Sequence, residues 1–185
     1  MPESNSQKFN HLKIHTQYSI CEGAIKIETL KDYCKTNKIP CLGISDTSNL
    51  CGALEFAENI SKIGTQPIIG TQINFKFEDT TGLLPLIALN EKGYKRIIEL
   101  SSRSYLENDA LSDPHLDIKE LLTDNDGVIV LSGTIQGLFG KLYKKGRLKE
   151  IIQLYNQLAS KFNNKFYLEI QDMVIQMKLH LKNLT

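Results

Sequence analysis

Short apolar runs alternate with helical patterns along most of the chain, and this alternation limits the possible folds more than any other feature. Residues 41–45 (CLGIS) and 128–131 (VIVL) are compact, mostly apolar runs of strand length. Residues 25–38 and 50–63 instead carry apolar side chains three and four positions apart, the spacing of one helix face. Strands that alternate with helices predict parallel pairing through βαβ units.

The same patterns predict six strands and the helices that connect them. We expect strands at residues 11–15, 41–45, 67–75, 84–89, 128–131 and 166–170. We expect helices at residues 25–38, 50–63, 91–105, 118–122, 136–143 and 148–162. Such a chain forms either a closed barrel or a doubly wound sheet, and the pattern alone leaves both open.

The composition is that of a folded domain. Of the 185 residues 41% are hydrophobic, and the net charge is +1, which excludes a disordered tail. No apolar run approaches the roughly 18 residues that a membrane span requires, and the start, MPESNSQKFN, lacks the pattern of a secretory signal. The 22 Lys and Arg residues face 21 Asp and Glu, a balance that argues against a basic nucleic-acid sleeve.

Four cysteines lie in the first third of the chain, at Cys21, Cys34, Cys41 and Cys51. None of them forms a C-x-x-C pair, so the sequence gives no sign of a zinc ribbon. We expect reduced thiols that pack as small buried hydrophobes, in a protein of the cytoplasm.

Six segments carry a family resemblance. They are HLKIHTQYS, GISDTSNLCGALEF, PIIGTQINF, LIALNEKGY, VIVLSG and FYLEIQ. Together they resemble the N-terminal PHP (polymerase and histidinol phosphatase) domain of bacterial DNA polymerase III alpha subunits, over residues 9–171. The resemblance implies an α/β fold, a distorted (β/α)7 barrel of which about six βα units are present.

Metal-bearing members of this family show His-x-His at the first strand, Asp-His after the second, a Glu on the third and a His near the fourth. The resemblance implies that these ligands hold divalent ions, zinc or manganese, which activate water for phosphoester hydrolysis. Here His15 and Asp46 remain at the matching positions. Four positions differ, and they carry Lys13, Thr47, Gln72 and Leu83.

We therefore expect a vestigial site, with neither a metal nor a catalytic residue. It comprises Lys13, His15, Asp46, Thr47 and Gln72. An ammonium group repels a metal ion and accepts no hydrogen bond, so Lys13 alone opposes binding. We predict instead that Lys13 and Asp46 form an ion pair that replaces a metal bridge, the alternative being that each side chain meets water.

The resemblance implies a scaffold function. A metal-free PHP domain would stabilise the rest of the alpha chain and dock the separate proofreading exonuclease subunit, meeting DNA only through the full polymerase and no membrane. The parent family is a DNA-directed DNA polymerase, a nucleotidyltransferase that uses magnesium. This chain carries none of the polymerase carboxylates, and we expect no cofactor for it. The alternatives are a metal-dependent phosphoesterase or 3′-to-5′ exonuclease, and a regulatory remnant that binds DNA.

The densest basic run of the chain lies within residues 141–149. The run comprises Lys141, Lys144, Lys145, Arg147 and Lys149, and it predicts either a solvated face or a face that contacts DNA or a partner.

Residues 1–8 are expected to be disordered. Residues 172–185 depart from the R-H-G continuation typical of the family, and one restored adenine in a back-translation recovers it, so we hypothesise a frameshifted tail on a truncated barrel.

Overall fold

The computed structural model describes residues 9–170. Its strands are β1 (Cys41–Thr47), β2 (Gln66–Phe77), β3 (Thr80–Ala88), β4 (Leu116–Asp117), β5 (Val128–Leu131) and β6 (Phe166–Tyr167). Its α-helices are α1 (Ile27–Asn37), α2 (Ala53–Ser61), α3 (Glu91–Leu106), α4 (Ile118–Thr123), α5 (Leu138–Lys144) and α6 (Leu148–Phe162). The strands form one sheet in the order β1-β2-β3-β5-β6, with β4 paired to β2 outside this path.

The sheet is mixed, so the prediction of parallel pairing throughout is wrong. β1 pairs with β2, and β5 with β6, in parallel, whereas β3 is antiparallel to both β2 and β5. The reason lies in the connection between β2 and β3, which consists of Glu78 and Asp79 alone. A two-residue connection can join only antiparallel neighbours, and Glu78 takes the left-handed backbone conformation that such a tight turn needs (φ 54°).

Residues 11–16 lie beside β1 but do not form the predicted strand. Ile14 pairs with Ile44 in a single parallel bridge, and the Gly43 amide donates to the His11 carbonyl at 2.7 Å. Gly43 permits this approach, because a Cβ there would lie 2.7 Å from the Leu12 carbonyl oxygen. The ladder stays short since the chain turns at Thr16 toward Asp46. We call residues 11–16 the first segment.

Two hollows on the inner face of the sheet reveal its curvature. The polar cavity, of about 400 Å³, is lined mainly by Lys13, His15, Glu22, Gln72, Leu83 and Thr134. The apolar groove, of about 480 Å³, is lined mainly by Leu12, Ile68, Ile87, Ile129, Leu131 and Tyr167. Side chains from the first segment, β2 and β3 line both hollows, so the sheet curls around one lumen. The described residues form an incomplete α/β barrel, as the resemblance implies.

Two apolar cores fix the helices to the outside of this barrel. Ile27, Phe56 and Ile60 join α1 and α2 to β1, and all three side chains are fully buried. A larger core joins α3, α4, α5 and α6 to β2, β3 and β5. The helices therefore hold the strands in the curvature that brings their ends together at the polar cavity.

Several predicted features are corrected by the structure. The sixth strand is shorter than the predicted residues 166–170, and the two-residue strand β4 (Leu116–Asp117) was not predicted. Only Cys34 is fully buried among the four unpaired cysteines, while Cys21 and Cys51 are exposed. No helix within residues 9–170 has the length and apolarity to cross a membrane. The disorder expected for residues 1–8 and the frameshift hypothesis for residues 172–185 concern residues outside the described range and stay predictions.

Candidate functional site

Asp46 lies at the centre of the candidate site, buried at the end of β1 with 1% of its surface exposed. Its carboxylate accepts three short hydrogen bonds, from the Thr16 amide at 2.6 Å and from the Thr16 and Ser19 hydroxyls at 2.7 Å each. All three donors are neutral, and they come from the end of the first segment and from the turn that follows it. This carboxylate therefore ties the first segment to β1, and its oxygens are engaged within the protein.

His15, Gln72 and Thr47 form a chain of contacts beside the polar cavity. The Gln72 amide donates to His15 Nε2 at 3.2 Å and lies 3.4 Å from the Thr47 hydroxyl. Thr47 in turn donates to the Glu22 carboxylate. The other ring nitrogen, His15 Nδ1, lies 3.4 Å from the Ser19 hydroxyl and 3.9 Å from Glu22. The structure therefore brings three of the predicted site residues together and adds Glu22.

Lys13 does not pair with Asp46, so that prediction is wrong. Its ammonium group lies 2.8 Å from Oε1 of Glu169, just beyond β6 on the far side of the lumen. The physical reason is that the neutral donors of Thr16 and Ser19 already satisfy the Asp46 carboxylate. Lys13 belongs to the lining of the polar cavity, as do His15 and Gln72.

These side chains do not fit the metal cluster that the family resemblance implies. An ammonium group at Lys13, a neutral amide at Gln72, which is a weaker ligand than a carboxylate, and the apolar Leu83 stand where ligands would be needed. Within residues 9–170, no group of three or more His, Cys, Asp or Glu side chains could hold a metal ion. The arrangement can form hydrogen bonds and ion pairs.

Comparison with known proteins places this geometry in a family. The model of the PHP domain family matches residues 11–173, which include every residue of the site. The chain belongs to the PHP domain family.

Relatives of the chain include DNA polymerase III alpha subunits. The chain is 32% identical over 184 residues to the subunit of Caulobacter vibrioides and 34% identical over 164 residues to that of Rickettsia felis. These alignments cover 92% and 88% of this chain but 16% and 14% of the relatives. An amidohydrolase from Chromobacterium violaceum is a structural neighbour, with a TM-score of 0.40 at 13% identity, over 80% of this chain and 54% of that one.

The most important residues of this PHP domain that sequence reasoning missed are Thr16, Ser19, Glu22 and Glu169. The first two lie in the H-T-x-Y-S segment, where two hydroxyl groups three residues apart follow a strand. That spacing was a usable signal for a carboxylate acceptor nearby. Glu169 lies 156 positions from Lys13 along the chain, so no local pattern connects the two.

Tyr18 of the same segment touches the edge of the site. Its hydroxyl donates to the Glu55 carboxylate of α2 at 2.6 Å. This hydrogen bond, and next the negative charge of Glu55, raise the pKa of the Tyr18 phenol above its ordinary value. The pair joins the turn after the first segment to α2, close to Asp46.

The basic run of this PHP domain is engaged largely within the chain. Arg147 makes a two-pronged contact with the Asp79 carboxylate at the tip of the β2–β3 hairpin, with Nη2 to Oδ2 at 2.7 Å. Lys145 donates to the Thr80 hydroxyl at 2.8 Å, and Lys141 to the Thr81 carbonyl at 2.9 Å. These contacts clamp the β2–β3 hairpin to α5 and α6, so three cations of the run are engaged within the chain and the run is less solvated than the first alternative implies.

Proposed function

We propose that this chain is a metal-free PHP domain that serves as a scaffold within a DNA polymerase III alpha subunit. The observation that carries the proposal is the state of one retained ligand position, Asp46, and one replaced position, Lys13. Asp46 is saturated by Thr16 and Ser19, and the cation at Lys13 pairs with Glu169. In this state the Asp46 carboxylate accepts from protein donors and Lys13 repels cations, so neither residue supplies a ligand for a metal ion that would activate water.

The relatives support the same role. They are polymerase III alpha subunits, and the chain aligns with about 15% of their length. We infer that the partner of this domain is the rest of such a chain. Docking of the proofreading exonuclease subunit and a location in the cytoplasm belong to the same proposal.

Two assays test this function, one by measuring association with a polymerase subunit and the other by measuring hydrolysis. The first mixes the purified chain with an alpha subunit of a relative that lacks its matching N-terminal region, and measures association by size-exclusion chromatography. The scaffold proposal predicts a stable complex. Failure to associate at micromolar concentration contradicts it.

The second assay measures hydrolysis of a single-stranded oligonucleotide and of p-nitrophenyl phosphate with added manganese or zinc. The scaffold proposal predicts turnover no greater than in a matched His15→Ala variant. Turnover that needs the metal and falls in His15→Ala would contradict the proposal and favour the hydrolase alternative. The contrast between the two proteins removes the contribution of contaminating nucleases.

A further inference from the structure

We propose that the ion pair between Lys13 and Glu169 is a latch that holds the seam of the incomplete barrel closed. The seam is the gap between the first segment and residues 166–170, which lie at opposite ends of the strand order. This inference rests on the fold and is independent of the proposed function.

Each side of the seam is anchored to its own neighbour. The first segment is held to β1, where the Ser45 amide donates to the Ile14 carbonyl at 2.8 Å. On the other side the Ser132 amide donates to the Tyr167 carbonyl, and the Glu169 amide to the Ser132 hydroxyl, both at 2.9 Å. Within residues 9–170 no backbone hydrogen bond joins the two sides to each other. The side-chain contact of Lys13 with Glu169 therefore spans a gap without a strand ladder.

The burial of the pair makes it stronger than an ordinary surface contact. The side chains of Lys13 and Glu169 are 17% and 21% exposed, so solvent and salt screen them weakly. Glu169 Oε2 is buried and makes no hydrogen bond, so among the described residues Lys13 alone forms a hydrogen bond or ion pair with this carboxylate. Without Lys13, a buried charge would lack compensation, and the seam would open to hydrate it.

Opening the latch would also open the apolar groove. Leu12 precedes Lys13 in the chain, Tyr167 lies two residues before Glu169, and both line the groove together with Leu131. Each side of the seam thus carries one charged residue of the latch and, near it in the chain, an apolar residue that lines the groove. Separation of the charges separates Leu12 from Tyr167 and exposes the lumen.

A double-mutant cycle in the full chain tests the latch. The variants are Lys13→Met, Glu169→Gln and the double variant, and the readout is amide hydrogen exchange at Gly43, Ser132 and Glu169, which donate the bonds on either side of the seam. We expect exchange at these amides to rise about tenfold in either single variant, with strong coupling in the double variant. The Gly93 amide, which caps α3 by donating to Asn90, should be unchanged and so reports on global unfolding.

A matched control and a charge swap decide the outcome. Lys92 and Asp126 form an exposed pair, with side chains 59% and 60% accessible, and the same cycle on this pair should change exchange by less than about twofold. The swap Lys13→Glu with Glu169→Lys should restore protection at the seam. Coupling no larger than in the control pair, or a failure of the swap to restore protection while Gly93 stays protected, would overturn the proposal. If a single variant does not fold, the swap compared with wild type still decides.

Discussion

Two regions that share the same strand ends differ in how they use their polar groups. Asp46 and its donors form a buried cluster in which each carboxylate oxygen has a partner. A few ångströms away, His15, Gln72 and Thr47 form longer contacts at the wall of an open polar cavity. The positions aligned with the family's metal site have therefore divided into a half with short, buried hydrogen bonds and a half with longer contacts that lines the polar cavity.

Burial explains why these halves should respond differently to mutation. A buried acceptor that loses its charge or its oxygens leaves donors without partners, and each such donor costs about 1–3 kcal/mol. A group at the wall of a cavity can turn to water instead. Substitutions in the two halves should therefore differ in their cost to stability.

The largest effect is expected for Asp46→Ala. The substitution leaves the Thr16 amide and the hydroxyls of Thr16 and Ser19 without their acceptor in the interior. We expect the free energy of unfolding to fall by about 3–5 kcal/mol, measured by urea denaturation. Asp109→Ala is the matched control, since Asp109 is exposed, and it should change stability by less than about 0.5 kcal/mol. Equal effects of the two substitutions would contradict the buried cluster.

A smaller effect is expected for Gln72→Met, which keeps the length of the side chain but removes the amide. Its contacts with His15 and Thr47 are long and border the cavity, so their loss should cost about 1 kcal/mol in the same denaturation experiment. Gln66→Met, at an exposed glutamine of the same strand, is the control. A loss as large as that of Asp46→Ala would remove the distinction between the two halves.

The hairpin clamp provides a pH-dependent test outside the site. Hydrogen bonding to Arg147 holds the pKa of Asp79 below its ordinary value, so this interaction stabilises the fold above about pH 4. The contribution is lost as the pH falls through the lowered pKa. Arg147→Ala should therefore be less stable than wild type at pH 7, and the difference should shrink below about pH 4. Lys149→Ala is the control, and a pH-independent difference for Arg147→Ala would be the contrary result.

The smallest effect concerns the ionisation of Tyr18. Because the hydrogen bond to Glu55 raises the pKa of Tyr18, Glu55→Gln should lower that pKa toward its ordinary value of about 10. Titration of the tyrosine ring signals by NMR measures the change, with Tyr18→Phe used to assign the resonance. An unchanged pKa in Glu55→Gln would show that the contact does not form in solution.

The sequence predicted the family, most element positions and the place of the site, because all three depend on local patterns. Apolar periodicity predicted α3 and β5 almost to the residue. The family resemblance predicted that His15, Asp46 and Gln72 lie near one another.

The remaining features depend on contacts between residues that are distant in the chain. The reversed direction of β3 follows from the two-residue turn at Glu78 and Asp79. The partner of Lys13 follows from the curl of the whole sheet, which brings Glu169 across the lumen. The donors to Asp46 were visible in the sequence as hydroxyl groups, but their target was not.

Whether this PHP domain holds a metal centre is tested by isothermal titration of the wild-type chain with zinc and with manganese. We expect no saturable binding with either ion at micromolar protein, and a heat signal indistinguishable from that of His15→Ala. Binding of one or more equivalents by the wild-type chain, lost in His15→Ala, would contradict it.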